Sequence, residues 1–298
     1  MRRRDMLLGG LAAAAAGRAT EAQFIKSICS VIFPDEMPRA ECIRRAKNAG
    51  FDAIEFVPQA EIALDADPDG IRRVGEAARR AKITIASLWG SRALAANPLN
   101  SGDPAVRARG VAAIEKAVGV ATWLGCGALL LVPGRLGSGR RFEYGYELTW
   151  QRFTTELRKA IPAAARARVL LTPENVWNKF LVSPLEMRAF VDQFHSPWLQ
   201  AHFDAGNVMQ YGYPEDWIAT LGARIKRVHF KDYKLSARAE QGRFVPLLEG
   251  DVNWKSVMAA LVKAGYRGTV SPEYSYSSTE PDQLRKVSLA LDRILALA

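Results

Sequence analysis

From residue 25 onward the chain repeats one pattern eight times: a short apolar or β-branched run, then a longer amphipathic stretch. The apolar runs fall at 25–33, 53–57, 83–89, 128–132, 169–173, 199–204, 225–230 and 269–273. The stretches between them carry apolar residues at i, i+3, i+4 and i+7, the spacing of one buried helix face. The longest is 105–124, with Pro104 at a position suited to a helix start. Several stretches close on glycine (Gly50, Gly125, Gly222, Gly265), which accepts the left-handed conformation of a helix C-terminus. Strands alternating with helices predict parallel pairing through helical crossovers. Eight such cycles in a 298-residue chain match a closed (β/α)8 barrel. A doubly wound open sheet is the rival, and it is weakened because no G-x-G-x-x-G follows the first strand. No Pro/Gly/Ser-rich linker divides the chain. The expectation is therefore one α/β domain, a TIM barrel over residues 23–298.

The first residues read differently: MRRRDMLLGGLAAAAAGRATEAQF. Arg2, Arg3 and Arg4 precede a short, Ala- and Gly-rich apolar run at 6–17, and Thr20-Glu21-Ala22 supplies a small-x-Ala cleavage pattern. The run is too short to span a bilayer. Arg3-Arg4-Asp5-Met6-Leu7 resembles the twin-arginine export motif. Residues 1–22 are therefore expected to be a signal peptide read by the twin-arginine (Tat) export machinery, giving a periplasmic or secreted protein. The rival is a basic tail that is not exported.

The formal net charge of +10 raises the question of an acidic partner. Two of those charges belong to the expected leader, where four arginines face Asp5 and Glu21. The rest form no basic helix and no patch interleaved with aromatics, so neither nucleic acid nor a membrane surface is expected as a partner. The three cysteines, Cys29, Cys42 and Cys126, show no CxxC spacing and lie in apolar surroundings, which reads as buried small hydrophobes.

A barrel places its chemistry at the C-terminal ends of its strands. Here the fifth run ends on Glu174, the sixth on Asp204, the seventh carries His229 and the eighth ends on Glu273. Three converging carboxylates repel one another unless a cation neutralises them. Three carboxylates and one imidazole form a mostly hard-oxygen donor set. It favours Mn²⁺ or Mg²⁺, with Co²⁺ and Zn²⁺ admissible. Strand alternation then turns Thr172, His202 and Ser271 inward with the acidic residues and Pro173, Phe203 and Pro272 outward. The rival for each residue singly is a helix cap or a solvated group just past its strand.

The segments PENVWNK (173–179), FDAGN (203–207), VHFKDY (228–233) and EGDVNW (249–254) resemble the xylose isomerase-like sugar isomerase/epimerase superfamily, including its D-tagatose 3-epimerase type. The resemblance implies that Glu174, Asp204, His229 and Glu273 ligate one divalent metal. It also implies that Glu174 and Glu273 act as the acid–base pair. The implied reaction is proton transfer beside a carbonyl, through an enediolate that the metal stabilises. Return of the proton to the same carbon gives an epimer, and to its neighbour an isomer. Loss of a β-substituent gives a keto-sugar or keto-inositol lyase or dehydratase, which stays open as the alternative. A carbohydrate-binding barrel without catalysis is a further one. An endonuclease IV-like nuclease needs many histidines, and the chain has three.

Other residues are candidates with bland alternatives. Asn207 and Lys231 lie on the ligand side and suit hydrogen bonds to substrate hydroxyls, or simple solvation. Some epimerases of this type carry His where Asn207 stands. Trp89 suits stacking on a sugar face or core packing. Glu55 suits substrate contact or a structural salt bridge. Lys179 suits the pocket or the solvent. Asp232 suits orientation of His229 or of a neighbouring loop, or capping of the following turn. His202 reads as a barrel-interior histidine and His195 as a loop histidine. The Gly/Arg/Tyr-rich loop after the fourth run suits a lid or a variable surface loop. Export favours neutral sugars, glycosides or keto-sugars over sugar phosphates. The oligomeric state is left open.

Overall fold

The computed structural model describes residues 24–138, 141–236, 242–275, 277, 280 and 282–298. The expected leader at 1–22 lies outside them. Among the described residues the main sheet has eight parallel strands. They are β1 (Ile25–Cys29), β2 (Ala53–Phe56), β3 (Thr84–Trp89), β4 (Ala128–Leu131), β5 (Leu170–Pro173), β6 (Ala201–Asp204), β7 (Ile225–Phe230) and β8 (Thr269–Pro272). Each pairs with its sequence neighbour, and β8 returns to β1 with Thr269 opposite Ile25. Between β5 and β6 the pairing narrows to two single bridges, Leu171 with Leu199 and Glu174 with His202. The result is a nearly closed (β/α)8 barrel, as the eight cycles require.

Eight long helices follow the strands: α1 (Arg39–Asn48), α2 (Pro68–Arg80), α3 (Pro104–Leu124), α4 (Tyr146–Ala167), α5 (Pro184–Asp192), α6 (Pro214–Leu221), α7 (Trp254–Lys263) and α8 (Gln283–Leu295). Their starts repeat one device. Asp67, Asp103 and Ser183 each accept a hydrogen bond from the first turn, and proline follows in each case. The cap satisfies one orphan donor, and the proline has no donor to satisfy. At the other ends, Gly50, Gly125, Gly222 and Gly265 all have positive φ. The longest helix is α4, with 22 residues against 21 in α3, correcting the expectation for 105–124. Pro162 lies inside α4, where it removes one backbone donor without ending the helix.

Strand β1 is shorter than the apolar run that announced it. After Cys29 the chain enters a 3₁₀ turn, Ser30–Ile32, that is still largely buried. Burial without pairing kept the apolar signal alive past the strand. The cysteines are all free and buried, and burial raises Cys42 and Cys126 to about 11. No described helix is long and apolar enough to cross a membrane. The inner layer of the barrel is unusually polar: Ser27, Glu55, Ser87, Thr172, His202, His229 and Ser271 are all essentially inaccessible.

Candidate active site and metal centre

Local sequence explains how the acidic side chains reach one point. Strands β5 and β8 end in Thr-Pro-Glu and Ser-Pro-Glu. Proline has no N–H for the ladder, so it suits the last strand position. The following glutamate resumes the pairing: Glu174 N–H donates to Leu131 O (2.9 Å) and Glu273 N–H to Phe230 O (3.3 Å). Asp204 ends β6 opposite His229 of β7 and caps the short helix Ala205–Val208. Its Oδ1 accepts from Asn207 N–H at 2.7 Å, which leaves Oδ2 for the barrel mouth. Glycine is required at 206, because a Cβ there would stand 2.6 Å from the Lys231 carbonyl oxygen.

The β5–β6 seam, thin in backbone pairing, is closed by Asn175. Its amide donates to Asp204 O (2.9 Å), and its carbonyl accepts from Asp204 N–H (2.8 Å). The side chain completes the ladder that the strands do not, and it is fully buried.

Glu174, Asp204, His229 and Glu273 each present one ligand atom, and these atoms lie within 4.8 Å of one another. His229 Nδ1 faces Glu174 Oε1 (3.1 Å), Glu273 Oε2 (3.1 Å) and Asp204 Oδ2 (4.0 Å). Lys231 Nζ lies 3.1 Å from Asp204 Oδ2 and 2.6 Å from Glu273 Oε2. Both contacts are ion pairs. Both oxygens are buried and accept no hydrogen bond from any described residue. Three converging carboxylates and an imidazole nitrogen fit a divalent cation bound by hard donors.

The environments of the two glutamates differ. Burial pushes Glu174 up to about 6, against the pull of His229 and Lys231. Burial also acts on Glu273, but Lys231 and His229 outweigh it and bring the carboxyl down to about 2. Asp204 is raised by burial. Lys231 and His229 are held well above their ordinary values by the carboxylates around them, which overcome burial.

Glu55, read above as a substrate contact or a structural salt bridge, takes the second form and is wholly buried behind His229. Its Oε1 lies 2.7 Å from His229 Nε2, and the carboxylate also accepts from Ser87 Oγ and Trp89 Nε1. Trp89 is half-buried, with its ring 6.1 Å from that of His229. Asp232 does not orient His229. Its oxygens take the N–H groups of Tyr233, Leu248, Gly250 and Val252 and the Trp254 indole, so it ties down the loop beyond β7. Asn207 is buried beside the cluster, its amide on Asn175 O (2.9 Å). Lys179 is exposed in the β5–α5 loop, with left-handed backbone. His202 is buried, with its ring centre 4.1 Å from that of His229. His195 is exposed after α5. The loop after β4 forms a small hairpin, Gly137–Ser138 with Arg141–Phe142, whose residues 139–140 lie outside the described set. It is tied to the β5 loop through Asn178, which donates to Pro133 O and Gly134 O.

A cavity of about 840 Å³ reaches the cluster at Lys231 and Glu273 and runs out along Phe244, Leu247 and Tyr274. A cavity of similar size, about 880 Å³ between α1 and α8, does not touch it. Residue-level reading passed over Asn175, Ser87, and the pair Trp177–Phe244, whose rings stack at 4.8 Å beside Lys231. Only Asn175 and Trp177 left a trace in the sequence, inside PENVWNK.

The sequence pattern of the xylose isomerase-like TIM barrel family matches residues 43–294. The L-ribulose-5-phosphate 3-epimerase of Salmonella paratyphi C (strain RKS4594) is 28% identical over 279 residues, covering 91% of this chain and 95% of its own. Two solved structures share the fold. A D-psicose 3-epimerase from Clostridium cellulolyticum H10, solved with D-tagatose, superposes with a TM-score of 0.79 at 17% identity, over 92% of this chain and 99% of its own. An L-ribulose 3-epimerase gives 0.75 at 22%, over 92% and 94%.

Proposed function

The chain belongs to the xylose isomerase-like TIM barrel family, and from that premise we propose that it is a divalent-metal-dependent sugar epimerase or isomerase. The observation that carries the reading is the convergence of Glu174, Asp204, His229 and Glu273, with two buried carboxylate oxygens that pair with Lys231 but accept no hydrogen bond from any described residue. Glu174, Asp204, His229 and Glu273 would hold the ion, Mn²⁺ or Mg²⁺ by their chemistry. Such an ion, when bound, supplies Lewis-acid stabilisation of negative charge on a substrate oxygen.

The chain's own residues then divide the proton work. Glu273, kept ionised by Lys231 and His229, takes the proton from the carbon beside the carbonyl. The C–H electron pair moves toward the carbonyl, giving an enediolate. Glu174, whose burial keeps a proton on it to higher pH, delivers one from the other side. Delivery to the same carbon inverts it, and delivery to the neighbour interconverts aldose and ketose. The Salmonella relative is a 3-epimerase, which favours inversion at C3 of a ketose. Lys231 and Asn207, beside the cluster, are placed for substrate hydroxyls.

The leader read in residues 1–22 supports export through the twin-arginine machinery to the periplasm. It favours a neutral sugar, glycoside or keto-sugar over a phosphate. Replacing Arg3 and Arg4 by lysine is expected to retain the protein in the cytoplasm, by fractionation.

The test of the reaction is incubation of the Mn²⁺-loaded protein with neutral ketoses and keto-sugars in D₂O. Solvent deuterium beside the carbonyl, with otherwise unchanged mass, is the expected result. Loss of water from the product marks a dehydratase. No exchange on any sugar overturns the reading.

A further inference from the structure

We propose that Glu55 is the positioning residue of this site. From the opposite wall of the barrel it fixes the ring of His229 and keeps a proton on Nε2, so that Nδ1, which faces the carboxylate cluster, is the nitrogen whose proton a metal ion can replace. A neutral imidazole has one N–H and one lone pair, and only the lone pair ligates a metal. A carboxylate can only accept, so a carboxylate at hydrogen-bond distance holds the proton on the nitrogen it faces. Here both nitrogens face carboxylates: Nε2 lies 2.7 Å from Glu55 Oε1, and Nδ1 lies 3.1 Å from Glu174 Oε1 and 3.1 Å from Glu273 Oε2. A cation bound among Glu174, Asp204 and Glu273 would take the place of the proton on Nδ1, whereas Glu55 keeps the one on Nε2.

The geometry on the far side of Glu55 supports a fixed orienter. Ser87 and Trp89, both on β3, donate into its two oxygens, so the carboxylate is anchored on its own side before it meets the histidine. Glu55 and His229 are both essentially inaccessible. His202, the other group against the imidazole, has rings stacked edge to face and no hydrogen bond at either nitrogen from any described residue. It packs the ring but does not choose its tautomer. Partners of this kind, behind a ligating histidine, typically change metal affinity 10–100-fold when removed.

The inference rests on the metal-dependent reading above, and Co²⁺ separates the two. Co²⁺ is titrated into the intact protein and its affinity read by calorimetry and by its visible absorption. Glu55→Leu is expected to weaken binding by about 10–100-fold and to alter the Co²⁺ spectrum. Glu55→Gln, which keeps an acceptor on Nε2, is expected to recover most of the loss. A purely structural role would lower the melting temperature and leave the affinity and spectrum of the folded protein unchanged. Affinity within twofold of the parent in Glu55→Leu overturns the role of Glu55 while leaving the site reading intact. A parent protein that binds no Co²⁺ overturns both. If Glu55→Leu does not fold, ¹⁵N resonances of the His229 ring in the Zn²⁺-loaded parent decide. A proton on Nε2 is expected, and a proton on Nδ1 overturns the proposal.

Discussion

The two halves of the barrel end their strands differently. In the first half, β1 to β4 finish on Cys29, Phe56, Trp89 and Leu131. In the second, the ends of β5 to β8 carry Glu174, Asp204, His229 with Lys231, and Glu273. The buried carboxylates differ in the same way. Glu156, under the first half, is satisfied by Arg107 (3.1 Å) and Lys159 (2.6 Å). Glu55 is satisfied by Ser87, Trp89 and His229. Asp204 and Glu273 each keep an oxygen with no hydrogen bond from a described residue. Buried polar groups that satisfy one another hold a fold together, whereas three buried carboxylates crowded around one imidazole and the single Lys231 ammonium mark a place for a ligand. One arc of the barrel gathers the acidic cluster, and the other backs it through Glu55.

That division can be broken most sharply by activity. Glu273→Gln and Glu174→Gln each remove a proposed proton-transfer group and are expected to lower kcat by about 10²–10⁴-fold. At the matching strand end of the other arc, Leu131→Met keeps volume and is expected to leave kcat within a few-fold. Equal losses on both arcs would erase the distinction. Asp204→Asn keeps the Oδ1 acceptor that caps Ala205–Val208 but blunts the orphaned Oδ2. Its Mn²⁺ affinity should fall by at least the 10–100-fold typical of orienting partners, with little change in melting temperature. A metal titration beside a thermal scan separates the two quantities.

The four site residues were readable because each signal is local. Period-two alternation places them, and the Thr-Pro-Glu and Ser-Pro-Glu endings stop two strands at the same register. The eight-cycle fold was readable for the same reason, although β1 shows that burial can outlast pairing. Glu55 takes the salt-bridge form that its sequence admits, but its partners were not legible, because Ser87, Trp89 and His229 lie 32, 34 and 174 residues away in sequence. A glutamate at a strand end looks alike whether it faces a substrate or a histidine. Asp232 took one of its three readings, orientation of the neighbouring loop. Its neighbour His229 suggested a pair, but strand alternation and a loop full of unpaired N–H groups turned it outward to Leu248, Gly250 and Val252. Asn175 could not be assigned from sequence, because its role exists only where the β5–β6 pairing gives out.

Stability sharpens the comparison at smaller magnitude, with opposite signs on the two arcs. In the metal-free protein Glu174 is raised to about 6, above the value of an unfolded glutamate. A raised carboxyl costs stability once the pH climbs through the folded value, because the native state then holds the charge less readily than the unfolded chain. Glu174→Gln should therefore stabilise the metal-free protein above pH 6, on the order of 1–2 kcal/mol, and change little at pH 4. Glu156 runs the other way. Burial raises it, but Lys159 and Arg107 outweigh burial and lower it. Its contribution is present above the unfolded glutamate value and lost as pH falls through the folded one. Glu156→Gln should cost about 1 kcal/mol at pH 7, less toward pH 3, and leave kcat unchanged. Urea melts across that range check both signs. A Glu174→Gln protein that loses stability at pH 7, as Glu156→Gln does, would mean that the site's carboxylates are held as structural pairs, and the contrast between the arcs would fail.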